Sequence, residues 1–208
     1  MYIPEHFREE EVEVLHGIIK SFAFATLVTQ ENGEMLASHL PFFLDPAPRP
    51  YGALRTHLAR RNPQFAHLQA GARALVIFQG PNAYVSPTWY ANPGNVPTWN
   101  YVAVHAYGTP RVLGDSDLIR ILSQLVRENE EALPNPWVFD ADQPWIRRML
   151  PEIAGFEIPI ADLQGKFKLN QNRTLADRQG VIAALTQSDD PMKRAVANLM
   201  NPGAGSEY

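Results

Sequence analysis

Trp99-Asn100-Tyr101-Val102-Ala103-Val104-His105-Ala106-Tyr107-Gly108 alternates with a period of two residues. In an extended strand, Trp99, Tyr101, His105 and Tyr107 fall on one face and Val102, Val104 and Ala106 on the other. The aliphatic face belongs in a core. The opposite face suits either the aromatic inner layer of a β-barrel or a flat, polar-edged partner such as a flavin or purine.

N-terminal to this strand, Gln79 to Thr98 is rich in proline, glycine and aromatic residues and predicts a long, largely irregular binding loop, with a short strand at Tyr84-Val85. Before it lie an apolar strand, Ala72 to Phe78, and a short helix opened by Asn62-Pro63, an N-cap residue followed by the imino acid that tolerates the first helical position. A strand at Tyr51 to His57 precedes that helix. Phe22 to Thr29 and Met35 to Leu44 predict a hairpin around Glu31-Asn32-Gly33, because Asn-Gly accepts the positive φ angles of a tight turn. One amphipathic helix is expected from Pro4 to Lys20.

C-terminal to the strand, Asp115 is read as the cap of a helix running to Glu131, with Leu118, Ile119, Leu122, Leu125 and Val126 at helical spacing. A Pro/Trp-rich linker and short helix lead to a β segment, Ile153 to Leu163. Two closing helices, Thr174 to Leu185 and Pro191 to Met200, precede a tail expected to fray. Several strands, a helix and more strand argue for a barrel-like α+β fold rather than βαβ units.

Composition narrows the function. The 208 residues are 45% hydrophobic and 19% charged, enough to build a substantial core. No cysteine is present, which excludes disulfides, thiol nucleophiles and Cys-ligated metals and is compatible with a reducing cytoplasm. The start lacks signal-peptide character, and no apolar run approaches the roughly 18 residues of a membrane span, so a soluble cytoplasmic protein without a membrane partner is expected. With a net charge of −4, any anion site must be a local cluster. The six histidines show no close metal-binding pair, and neither a Gly-rich phosphate loop nor a Gly-x-Ser-x-Gly turn occurs, so no metal and no catalytic residue is assigned.

Two clusters stand out. Arg55, His57, Arg60 and Arg61 lie within seven residues at a strand-to-helix junction beside Asn62, where planar guanidiniums could clamp a phosphate. A surface cluster paired to carboxylates reads equally well from spacing. The second is Lys166, Lys168, Asn170, Gln171, Asn172 and Arg173, whose cations and amides suit a flavin edge, a subunit interface or a lysine-protected exposed strand.

Read together, these stretches resemble the PaiB-like FMN-binding negative transcriptional regulators. The resemblance rests on Met1-Tyr2-Ile3-Pro4, Ser38-His39-Leu40-Pro41-Phe42, Arg55-Thr56-His57-Leu58-Ala59-Arg60-Arg61-Asn62-Pro63-Gln64, Phe78-Gln79-Gly80-Pro81, Tyr84-Val85-Ser86-Pro87, Val96-Pro97-Thr98-Trp99-Asn100-Tyr101 and Gly165 to Arg173, in family order over residues 1 to about 182. Thr56 departs from the glycine of many relatives. The resemblance implies an FMN-binding split β-barrel with peripheral helices and a C-terminal helix pair, usually a homodimer with FMN at the subunit interface.

It divides the chain into a split-barrel domain, 1–173, a helical extension, 174–200, and a flexible tail, 201–208. It directs cofactor contacts to Arg55, His57, Arg60, Arg61, Asn62, His39, Trp99, Asn100, Tyr101, Lys166, Lys168 and Gln171. The implied function is that of a PaiB-type negative transcriptional regulator that binds FMN as a dimer. The alternative is an FMN-dependent oxidoreductase of the flavin reductase or pyridoxamine oxidase type with only indirect regulatory effects. Direct DNA binding gains little support, since the closing helices carry only Arg178, Lys193 and Arg194 as cations.

Overall fold

The quoted segment is the body of β7 (Thr98–Gly108), and its two faces separate largely as the alternation demands: Asn100, Val102, Val104 and Ala106 are buried, while Trp99, Tyr101, His105 and Tyr107 are at least partly exposed and the small Ala103 between them is buried. A computed structural model of the chain describes residues 1–201; most of the expected tail, 201–208, lies outside the described residues. The other strands are β1 (Arg8–Glu9), β2 (Phe24–Glu31), β3 (Glu34–Pro41), β4 (Phe43–Asp45), β5 (Ala53–Ala59), β6 (Ala74–Val85), β8 (Arg111–Val112) and β9 (Ile153–Lys168). Hydrogen bonding follows the order β3-β2-β6-β7-β9-β5-β4, with β1 and β8 also paired to β9. The helices are α1 (Val12–Ser21), α2 (Gln64–Gln69), α3 (Asp115–Glu130), α4 (Pro144–Met149), α5 (Leu175–Thr186) and α6 (Pro191–Met200).

Two compact units divide the chain. The first comprises residues 1–21, 79–104 and 164 onward. Its core collects Leu15, Ile18 and Ile19 of α1, Val102 and Val104 of β7, Val181 and Leu185 of α5, and Val196 and Met200 of α6. Residues 22–78 and 105–163 form the second. Leu27, Phe42, Leu54, Phe78, Leu118, Ile121, Phe156 and Ile158 are its buried apolar groups, with Phe42 edge-on to Phe78 at 5.9 Å.

Local chemistry accounts for most element boundaries. Asn32 and Gly33, at φ 49° and 83°, form the two-residue connection that registers Glu31 against Glu34 and Phe24 against Pro41. Asn62 Oδ1 accepts from Gln64 N at 2.9 Å and opens α2; the buried Gln64 Nε2 then reaches Leu27 O, Thr29 Oγ1 and Leu36 O, fixing the helix to the hairpin. Thr174 and Asp190 cap α5 and α6 through their side chains.

Five expectations change. The strand read from Met35 to Leu44 divides at Phe42 into β3, paired with β2, and β4, paired with β5. The N-terminal helix is split: Glu5–Phe7 is a 3₁₀ turn, β1 follows, and Glu9 Oε1 accepts from Glu10 N and Glu11 N before α1 begins. The segment read as irregular after Phe78 is strand through Val85. Its Gly80 passes so close to β7 that an added Cβ would lie 3.2 Å from Val102 Cβ. The last β segment continues through Gly165 to Lys168. Finally, Gly114 rather than Asp115 occupies the N-cap of α3, leaving Asp115 and Asp117 in the first turn, where their charge favours the helix dipole.

Candidate functional site

Antiparallel register explains where the first cationic cluster goes. On β5, Arg55 faces Glu157 of β9, and Glu157 faces Arg111 of β8 on its other side. Arg55 Nε donates to Glu157 Oε2 at 2.7 Å, Arg111 Nη2 pairs with Glu157 Oε1 at 2.6 Å, and Arg55 Nη2 pairs with Asp45 Oδ2 at 2.8 Å. Two carboxylates thus occupy the Arg55 guanidinium beside a cavity of about 590 Å³. Its charge is committed to protein.

His57 shares the Arg55 strand face but lies opposite Gly155 and contributes to a different cavity, about 310 Å³, with Leu122, Trp137, Phe139, Trp145, Ile146, Met149, Leu150, Glu152 and Ile153. Burial holds its imidazole below the ordinary value near 6.5, and its Nδ1 is shielded without a hydrogen-bond partner. The neutral ring matches these carbon walls. A depressed native pKa means the unfolded chain binds the proton first, so the His57 contribution to stability is complete above about pH 6.5 and declines as pH falls from there through the native pKa. Urea unfolding at pH 7.5 and pH 5.5 should therefore show a loss on acidification that His57→Phe reduces by up to about 1 kcal/mol; an undiminished loss would remove this assignment.

Arg60 and Arg61 are exposed. Arg61 pairs loosely with Glu152 at 3.4 Å, and the Arg60 guanidinium lies 5.6 Å from the Phe65 ring centre. Asn62 Nδ2 donates to Ser38 Oγ at 2.9 Å, and the next residue, the exposed His39, shares a 3.0 Å hydrogen bond with Thr26 Oγ1. Arg60, Arg61 and Asn62 therefore belong to one corner of the second unit, while His39, next to Ser38 on β3, points to the other face of that strand. Arg55 and His57 have other surroundings.

The second cluster gathers within the first unit. Lys168 Nζ donates to Trp99 O at 2.6 Å and to Thr98 Oγ1. The buried Lys166 donates to Tyr2 O at 3.0 Å, its ammonium 5.4 Å and 5.3 Å from the ring centres of Tyr2 and Tyr101. Arg173 reaches Asn95 Oδ1 at 2.6 Å and stacks over Tyr90 at 5.2 Å, while Asn170 Nδ2 donates to Tyr90 Oη. These partners are a hydroxyl, carbonyls, an amide and rings. No described carboxylate forms an ion pair with any of the three cations. Burial first, then the like charges of Lys166 and Arg173, push the Lys168 ammonium below the usual lysine range.

Beside them the Trp99 indole is 54% exposed, with Tyr84 edge-on at 6.0 Å. Gln171 folds back instead, accepting from Leu169 N and donating to Phe167 O, and Asn100 is buried with Nδ2 3.3 Å from Met200 Sδ. Sequence reading missed the Tyr90 contribution to this cluster and the Trp137-Phe139-Trp145 lining of the other cavity. The density of aromatics in both proline-rich stretches was the available signal.

Three cations without a carboxylate partner among the described residues, next to exposed aromatic rings, fit a planar molecule bearing a phosphate dianion: the charges answer the phosphate and the rings the heterocycle. The residues thus suit FMN. Among the described residues, no helix is long and apolar enough to cross a membrane.

Comparison with known proteins agrees with this chemistry. The family model described as "Putative FMN-binding domain" matches residues 1–162. "Protease synthase and sporulation protein PAI 2" of Bacillus subtilis is 37% identical, the match covering 96% of each chain. Two solved structures share the fold: the FAD and heme binding protein from Mycobacterium smegmatis (TM-score 0.60, 18% identity, 77% of this chain and 73% of that one) and the flavocytochrome Anf3 from Azotobacter vinelandii (TM-score 0.62, 13% identity, 93% and 78%). The α+β fold is the split β-barrel of flavin-binding proteins. By sequence the chain belongs to the PaiB-like FMN-binding family, whose cofactor is FMN.

Proposed function

We propose that this protein is a cytoplasmic, homodimeric regulator of the PaiB type that uses FMN as its ligand, with Lys166, Lys168 and Arg173 holding the phosphate and Trp99 and Tyr101 facing the ring. The observation that carries the site is the absence, among the described residues, of carboxylate ion-pair partners for the three cations, in contrast with Arg55. Like charges held together are costly until an anion offsets them. FMN supplies one- and two-electron redox chemistry when bound. The protein's own part is to orient the ring and neutralise the phosphate.

Exposed apolar side chains on each unit, Tyr84 and Trp99 on the first, Phe24 and Met35 on the second, offer surface for a second copy. The closing helices favour regulation through ligand or partner over a strong autonomous DNA contact. Of their three cations, Arg178 turns inward to Met200 O, with Nε buried, and only Lys193 and Arg194 remain for phosphate neutralisation.

A second phosphate position rests on the exposed Arg60 and Arg61 beside the fixed Asn62. FMN and riboflavin titrations of Lys168→Ala, Arg173→Ala and Arg60→Ala decide between them. Charge-assisted hydrogen bonds contribute about 1.5–3 kcal/mol, so Lys168→Ala should weaken FMN by about tenfold or more and riboflavin much less. Loss confined to Arg60→Ala would move the phosphate to the β5–α2 corner. Failure of the parent protein to bind FMN, monomeric light scattering or tight promoter-specific binding at physiological salt would each overturn the corresponding part.

A further inference from the structure

The segment between α3 and β9 builds a recess that takes only His57 from the first cluster and nothing from the second. Trp137 lies edge-on to Phe139 at 6.2 Å and tilted by 47° to Trp145 at 6.4 Å, so three large aromatic groups meet in nine residues. Together with Met149 and His57 they line a cavity of about 310 Å³, while Glu152, paired loosely with Arg61, contributes the carboxylate of its lining. An aromatic-lined recess of this size, with a few polar groups, has the character of a small-ligand pocket.

We propose that this cavity binds a small, uncharged aromatic compound of one or two fused rings carrying a single hydrogen-bonding group, with His57 as its polar anchor. Size and chemistry both constrain the occupant. Offset and edge-to-face contacts with Trp137, Phe139 and Trp145 reward a planar ring. An anion is disfavoured because the remaining charged side chain is a carboxylate, and His57 cannot readily become an imidazolium in apolar surroundings. The imidazole is nonetheless a hydrogen-bonding group whose Nδ1, closed off from solvent, has no partner among the described residues, an incomplete arrangement for a buried polar atom that a turn of the ring toward the recess would relieve. Small rearrangement around a bound ring would complete it.

The probe is 5-fluoroindole, followed by fluorine NMR on the full-length protein saturated with FMN, with 4-fluorobenzoate as the anionic comparator. Saturable binding of 5-fluoroindole is expected, with at least tenfold weaker benzoate. Trp145→Ala should weaken fluoroindole by about tenfold, and Met149→Trp, which fills the recess from its exposed side, should abolish binding; FMN affinity should be unchanged in both. His57→Phe should keep part of the ring affinity and lose the preference for indole over 4-fluorotoluene.

Absence of saturable binding by a folded, FMN-loaded protein, equal binding of benzoate, or full retention in both Trp145→Ala and Met149→Trp overturns the proposal. A rise in molecular mass that tracks disappearance of fluoroindole binding would identify a second copy as the occupant and overturn it as well. Because FMN binding is read separately, failure here leaves the flavin assignment intact.

Discussion

Glu157→Leu is expected to lower stability by about 3 kcal/mol, measured by urea unfolding at neutral pH. Glu157 is the hub of the Asp45-Arg55-Glu157-Arg111 network, with its side chain only 11% exposed and Arg55 at 24%. Removing the hub leaves Arg55 with Asp45 alone in a poorly solvated position. Arg111 is 65% exposed, and water screens its loss, so most of the effect belongs to Arg55. The matched replacement distinguishes stranded charge from lost packing: Arg55→Met and Asp45→Asn combined with Glu157→Leu, which leave no buried member of the network charged without a partner, should recover at least half of the loss. A single-variant loss below about 1 kcal/mol would show that the charges are already hydrated.

Gly180→Ala should also destabilise by about 2–3 kcal/mol, although alanine is the better helix former by about 1 kcal/mol. The obstacle is backbone: an added Cβ on α5 would sit 2.1 Å from Trp89 O, in the 3₁₀ turn Pro87–Trp89. Asp177 on the same helix accepts from Asn92 N and Asn92 Nδ2 at 3.1 Å, so contacts on both sides of Tyr90 resist a shift. Tyr90 in turn supports Arg173. The variant should therefore lose FMN affinity together with stability; unchanged unfolding midpoint and affinity would show that the turn moves aside at no cost.

Local physics made much of the fold legible. The faces of β7, the Asn32-Gly33 hairpin and the span of α6 follow from alternation, turn chemistry and a Pro at the first helical turn. The misread segments obey tertiary demands. Strand β6 continues past Gly80-Pro81 because it lies beside β7, and β9 extends beyond Leu163 because Arg8 and Glu9 pair with its end, contacts more than 150 residues apart in sequence.

Site chemistry shows the same limit. Arg55 and His57 occupy one strand face, and nothing within the motif signals that Glu157, 102 residues away, neutralises the first, or that Trp137, Phe139 and Trp145 surround the second with carbon. The cations of Lys166, Lys168 and Arg173 were readable as a group. That they lack carboxylate partners among the described residues was not.

The hydrogen bond from Asn100 to Met200 gives the chain an internal chemical indicator. Met200 is 1% exposed, whereas Met35 and Met149 are 66% and 60% exposed. Under mild peroxide the surface thioethers convert to sulfoxides while Met200 stays reduced, and its oxidation reports the detachment of α6 from the core. At Met149 the same chemistry places a polar S=O in the lining of the aromatic recess, tying the state of that cavity to oxidative damage elsewhere on the surface.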